Sequence, residues 1–204
     1  DLILTRYNYY KMFYDIDVDA KLISLKQSCG SLFFKNTINY ESLNKIYVYG
    51  TMEKMHYKLR NWFTNRMHKE HSDKMVIRHH PGYEIDNTKN ARDTAEEFYK
   101  YSFSFTASRI PNFEIKEEKD TPYYLLCKFF EIPGSGALLL CNDHGVRKQL
   151  NEVGFYNMEN YVNIDDSNFN EIINWLYNPQ NKEKIIDIRE KGNKLVKDKH
   201  TTLK

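Results

Sequence analysis

The chain has 204 residues, of which 41% are hydrophobic and 28% charged, and a formal net charge of +2 at pH 7. That suits one large folded domain, or one domain with a piece of another, and allows a real apolar core. So balanced a charge argues against a nucleic-acid or anionic-membrane surface as the basis of function, and no apolar run is long enough to form a transmembrane segment.

The first forty residues, with DLILTRYNYYKMFY and AKLISLKQ, predict a strand, a helix and a strand of one sheet. SLFFKNTINYESLN then reads as a crossing to a second sheet. KIYVYG (45–50) is a β-rich run stopped by Gly50, and residues 52–71 place Met55, Leu59, Trp62, Phe63, Arg66 and Met67 at helical spacing. KMVIRHH (74–80) predicts a strand, residues 88–101 a polar helix, and SFSFTAS (102–108) a further strand. A helix is expected from Pro122 to Pro133-Gly134, followed by a short buried strand at 137–141 and a helix at 143–154 closed by Gly154. A strand at 159–164, a helix at 168–177 capped from Asp165, Asp166 or Ser167, and a long helix at 178–200 complete the chain. This alternation predicts an α/β fold, a Rossmann-like doubly wound parallel sheet over residues 41–204, preceded at 1–40 by the tail of another domain. The start within the apolar run DLILT and the close on HTTLK predict a piece of a longer polypeptide.

Ligands of such sheets sit where strand carboxyl ends meet helix N-termini. That directs attention to 50–60, 79–84, 105–111, 128–136 and 141–145. Lys128 and Glu131, three apart on a helix, share a face. The lysine can meet phosphate, and the carboxylate can accept two vicinal hydroxyls of a ribose or sugar. The same spacing also describes a solvated surface ion pair. Pro133-Gly134-Ser135-Gly136 carries little bulk, so a ligand could approach its backbone. Gly50 and Thr51 end a strand and begin a helix that carries Tyr57 and Arg60, which reads equally as an anion site or as a cap and solvated face. His79, His80 and Tyr83 close another strand, but neighbouring histidines face opposite ways on a strand, which argues against a zinc pair. HKEH (68–71) has no further ligands at a metal spacing. The overlapping DxD patterns of Asp15, Asp17 and Asp19 read as a turn. There is no P-loop, dinucleotide fingerprint or nucleophile elbow. Cys29, Cys127 and Cys141 are odd in number and lack a disulfide pattern. A reducing, cytoplasmic setting without a signal peptide is expected.

The order Lys128-x-Phe130-Glu131, Ser135-Gly136, Gly154-Phe155, Asn160-Tyr161-Val162, Asn178-Pro179 and His200-Thr201 resembles the C-terminal half of CgeB-like glycosyltransferases. These belong to the group-1 glycosyltransferases of the GT-B fold. Upstream, YVYGT and the YKLR of Tyr57 to Arg60 resemble the first strand and Tyr-x-x-Arg of that half. The resemblance implies a two-domain enzyme whose C-terminal domain holds a nucleotide-sugar donor, UDP- or GDP-linked, with no metal or other cofactor. Glu131 would grip the ribose hydroxyls, Lys128 and Arg60 would face the diphosphate, and Gly50-Thr51 and Ser135-Gly136 would line the phosphate path. Tyr57 and His80 complete the candidate set. The acceptor, whether glycan, protein or small molecule, would belong to the preceding domain. Group-1 enzymes often carry a second glutamate eight positions before the ribose glutamate, and here that position is Tyr123. A non-catalytic module that kept the half-fold is the alternative expectation.

Overall fold

A computed structural model describes residues 2–5, 21–24, 28–51, 57–79, 87–109 and 123–201. Strands β1 (Leu2–Thr5) and β2 (Lys21–Ser24) pair in parallel as a small separate sheet. The helix expected between them lies outside the described residues. The main sheet comprises β3 (Leu43–Tyr49), β4 (Met75–Arg78), β5 (Tyr101–Ala107), β6 (Leu138–Asn142) and β7 (Val162–Asn163). All its pairings are parallel, in the order β4-β3-β5-β6-β7. Helices α1 (Lys58–Glu70), α2 (Asn87–Lys100), α3 (Lys128–Gly134), α4 (Arg147–Glu152), α5 (Phe169–Tyr177) and α6 (Lys182–Lys199) alternate with the strands or follow them. The expected doubly wound α/β architecture is therefore the observed one.

The period-two alternation of the strands divides the core. Ile46 and Val48 of β3 join Phe103 and Phe105 of β5 on one face, under Phe63 and Met67 of α1 and Ile173 of α5. Tyr47 and Tyr49 point to the other face, where Phe98 of α2, Phe129 and Ile132 of α3 and Leu150 of α4 cover them. Helix α6 serves both clusters, through Ile185 and Ile188 on one side and Val196 on the other. Residues 28–42 run along α3 and α6. The Asn193 amide donates to the carbonyls of Lys35, Pro133 and Gly134, and the Cys29 N–H donates to His200 O at 2.6 Å.

Several boundaries differ from the sequence expectation. The helix expected from Pro122 starts only at Lys128, because Tyr123 and Leu125 are buried in non-helical chain and Tyr124 forms a bridge with Arg109. Short apolar runs do not distinguish the two conformations. The strand expected at 159–164 shrinks to Val162–Asn163, because the Asn160 side chain closes a turn, accepting from Tyr156 N at 2.8 Å and donating to Gly154 O at 3.0 Å. The helix expected at 143–154 begins at Arg147, and Pro179–Asn181 forms a separate 3-10 turn before α6. Among the described residues no helix is long and apolar enough to cross a membrane.

Candidate functional site

The strand order reverses direction between β3 and β5, which makes the gap beyond their carboxyl ends the natural ligand crevice. Gly50 stands there, directly after β3, with φ +132. A side chain at Gly50 would bring its Cβ within 2.9 Å of Arg60 Nη1 and 3.7 Å of Lys128 Cε. Glycine thus lets a guanidinium and an ammonium-bearing chain approach one turn of backbone. Arg60 arrives from the first turn of α1. Its neighbours on the buried stripe are Phe63, Thr64 and Met67, so helical spacing carries the arginine into the protein.

Arg60 is 1% exposed. Its Nη1 donates to Thr51 O at 2.8 Å, while Nε and Nη2 have no hydrogen-bond partner among the described residues. The guanidinium lies 4.4 Å from the Tyr57 ring, and that of Arg109, at the end of β5, lies 5.6 Å from the same ring. Lys128, at the start of α3, places Nζ 5.1 Å from the Tyr49 ring. It forms no contact ion pair with a described residue, so the surface-pair reading of Lys128 and Glu131 does not apply.

Burial pushes the Arg60 guanidinium down to about 10, so it stays charged at neutral pH. Burial, and then the Arg60 charge, lower Lys128, with Glu131 opposing. Burial raises the Glu131 carboxyl, with Lys128 opposing. Two cations and a half-buried carboxylate are thus held without full compensation, an arrangement that an anion carrying neighbouring hydroxyls would relieve.

Of the residues proposed from sequence, Gly50, Thr51, Tyr57, Arg60 and Lys128 come together here, and Glu131 follows Lys128 one turn along α3, near enough for each charge to act on the other. Ser135 and Gly136 do not. They follow the far end of α3 and precede β6, at the amino edge of the sheet. The Ser135 hydroxyl is fully buried and donates to Ile132 O at 2.7 Å. Gly136, at φ +84, is glycine because a Cβ would meet Ile38 at 3.0 Å. Their small size serves packing. His80 lies outside the described residues, as do Asp15, Asp17 and Asp19. Sequence reasoning did not nominate Tyr49 or Arg109, although the segments around β3 and β5 pointed to that edge.

Beside the crevice, at the carboxyl ends of β6 and β7, a cavity of about 740 Å³ is lined by Lys58, Tyr123, Asn142, His144 and Asp165 among others. That volume accommodates a nucleoside-sized group. Tyr123 packs on Gly145, with φ +74, and meets the His144 ring edge-on at 5.2 Å. Asp143 is structural: it accepts a bidentate pair from Arg147 at 2.8 and 2.9 Å and the Tyr161 hydroxyl at 2.8 Å. Asp165 organises the turn before α5 by accepting from Ser167 N at 2.9 Å and Ser167 Oγ at 2.6 Å. No cluster of three or more His, Cys, Asp or Glu among the described residues could hold a metal ion.

No family model matches the chain, and no curated protein matches it either. Solved structures do. A glycosyltransferase from Rickettsia africae is 13% identical with a TM-score of 0.59, over 98% of this chain and 59% of that one. The C-terminal domain of a group-1 family glycosyl transferase from Francisella tularensis is 13% identical, TM-score 0.51, over 79% of this chain and 88% of that one. A pneumococcal O-GlcNAc transferase solved with UDP and GlcNAc is 12% identical, TM-score 0.51, over 98% of this chain and 42% of that one. The fold is thus that of GT-B glycosyltransferase structures, and the chain spans about half the length of the larger neighbours.

Proposed function

We propose that this chain is the donor-binding part of a CgeB-like group-1 glycosyltransferase. In this reading it moves a sugar from a UDP- or GDP-linked donor to a glycan, protein or small-molecule acceptor, without a metal. The observation that carries the reading is the buried Arg60 guanidinium at the switch point, with two nitrogens unengaged, beside Lys128 and one turn from Glu131. Nε and Nη2 are sealed in the unliganded protein, so a diphosphate reaches them as the crevice opens and then supplies the acceptors Arg60 lacks, while Glu131 accepts from paired ribose hydroxyls. As the bond from sugar to diphosphate breaks, negative charge grows on the departing phosphate oxygen. Arg60 and Lys128 stabilise that charge from fixed positions, which is the role a metal ion plays elsewhere. The pneumococcal neighbour solved with UDP supports a uridine donor. Residues 41–204 form the donor-binding domain in this reading, and β1 and β2 belong to the acceptor-side domain before it.

Tyr123 favours a second reading, a module that binds the donor without turnover. It stands where group-1 enzymes often carry a glutamate, and it is buried against Gly145. Calorimetric titration with UDP, GDP and their sugars, on wild type and Glu131→Ala, tests the first reading. The expected result is saturable binding of one nucleotide class, weakened by about 1–3 kcal/mol in the variant, with circular dichroism unchanged. A folded wild type that binds neither nucleotide refutes donor binding. Tight binding with no sugar transfer or donor hydrolysis by the full-length protein selects the second reading.

A further inference from the structure

A second cavity, of about 340 Å³, opens at the opposite edge of the sheet. It lies between the amino ends of β3 and β5 and the connection from α5 to α6. The seven residues of β5 separate it from the Gly50 crevice by about 20 Å.

The polar groups here are unlike those of a merely imperfect core. Arg189 of α6 is 4% exposed. Its Nε donates to Gly136 O at 2.8 Å, and its Nη2 donates to Asn39 O at 2.9 Å and Ser42 Oγ at 3.2 Å. All three acceptors are neutral. Nη1 has no hydrogen bond to a described residue and is not sealed from solvent. Ser42 and Ser102 share a hydrogen bond at 2.9 Å, the Ser102 hydroxyl also lies 3.2 Å from Ser42 O as a donor, and Lys182 and Asn178 line the mouth. No carboxylate among the described residues forms an ion pair with Arg189 or Lys182. The adjacent Glu190 is engaged at the surface by the Tyr40 hydroxyl at 2.7 Å. Phe103 supplies an apolar wall.

Glu190 acts on Arg189 through space, yet no carboxylate hydrogen-bonds the guanidinium, so an incoming anion at Nη1 gains from both Coulomb attraction and hydrogen bonding. The volume is at the lower end for ligand sites. We propose that this cavity binds a small oxyanion-bearing molecule, a phosphate or carboxylate on a compact body, at Arg189 Nη1 with Lys182. The site is separate from the donor crevice and does not depend on its assignment.

The test is NMR titration of the full chain with sodium phosphate and with sodium acetate, each against sodium chloride at fixed ionic strength. The amides of Ser42, Ser102 and Lys182 and the Arg189 Nε–H report on the cavity. Saturable shifts with one anion or both are expected. Phosphate alone assigns a phosphate-bearing ligand, and acetate alone a carboxylate. Lys182→Glu, an exposed change that leaves the core intact, weakens this binding by about tenfold. Arg60→Ala leaves it unchanged, which separates it from any phosphate bound at the crevice. Shifts that do not saturate, or that persist at full affinity in Lys182→Glu, overturn the proposal.

Discussion

Replacing Arg60 by methionine should make the unliganded protein more stable while damaging its binding of nucleotide. Each buried, unengaged donor on Arg60 costs about 1–3 kcal/mol, and both Nε and Nη2 are in that state. Against this stand one hydrogen bond to Thr51 O, worth about 1 kcal/mol, and the contact with Tyr57, worth about 1–2 kcal/mol. Methionine fills most of the same volume, and Thr51 beside it is an exposed residue. The net expectation is a gain of about 1–2 kcal/mol. For a chain of this length that raises Tm by about 2–8 °C. Calorimetric scans in a buffer without phosphate measure it. With saturating nucleotide the order reverses, because only wild type gains the binding energy. An unliganded Arg60→Met protein less stable than wild type by more than about 1 kcal/mol would refute the claim that Arg60 is held at a cost for a ligand.

Gly50→Ala forces a side chain onto Arg60 at a positive φ and should lose about 1–3 kcal/mol together with nucleotide affinity, whereas Gly30→Ala, with only Phe33 at 3.9 Å, should be nearly neutral in thermal melts. Gly145→Ala, which would overlap the Tyr123 ring, should cost about 2–4 kcal/mol and disturb the Tyr123 and His144 resonances. Burial and Arg60 lower Lys128, so between its folded-state value and 10.5 the unfolded chain holds more protons and stability rises with pH. Urea melts across that alkaline range should show the rise flattened in Lys128→Met. The Glu131 carboxyl is raised by burial, so stability falls as pH climbs from 4.5 through its folded value, and Glu131→Gln should remove that fall.

What could be read before folding was whatever a single element encodes. The alternation in Ile46 to Tyr49 fixed which side chains meet each helical layer, and the spacing of Phe63 and Met67 fixed the inner face of α1. Arg60 sits on that inner face, but the helical spacing read from the sequence gives the stripe to Leu59, Trp62 and Arg66, which are only half-buried, and leaves Arg60 as an anion site or a solvated face, because there its charge outweighs its position. The meeting of Gly50, Arg60 and Lys128 was not implicit, since it depends on which strands are neighbours across a crossover. Pro133 to Gly136 shows the opposite failure. Small residues announce a close approach without saying to what, and here Gly136 is approached by Ile38. Arg109 was passed over because its relation to the Tyr57 ring exists only once β3 and β5 lie side by side. The late start of α3 was hidden for a similar reason: Tyr123 and Leu125 are apolar for a layer of the core, and their conformation follows the space left for them.

The stitch between Cys29 and Thr201 has a mechanical meaning. Those residues form a parallel bridge, with Cys29 N–H on His200 O, where the chain enters the five-stranded unit and where it leaves. Tension applied before Cys29 and after Thr201 pulls two parallel segments in opposite directions. The contact is then loaded in shear, along with the neighbouring anchor of Lys35 N–H on Gly134 O, and does not peel open one bond at a time. The α/β unit should therefore resist stretching along its own chain better than so short a bridge suggests, and it should yield first if the pull is applied across the stitch.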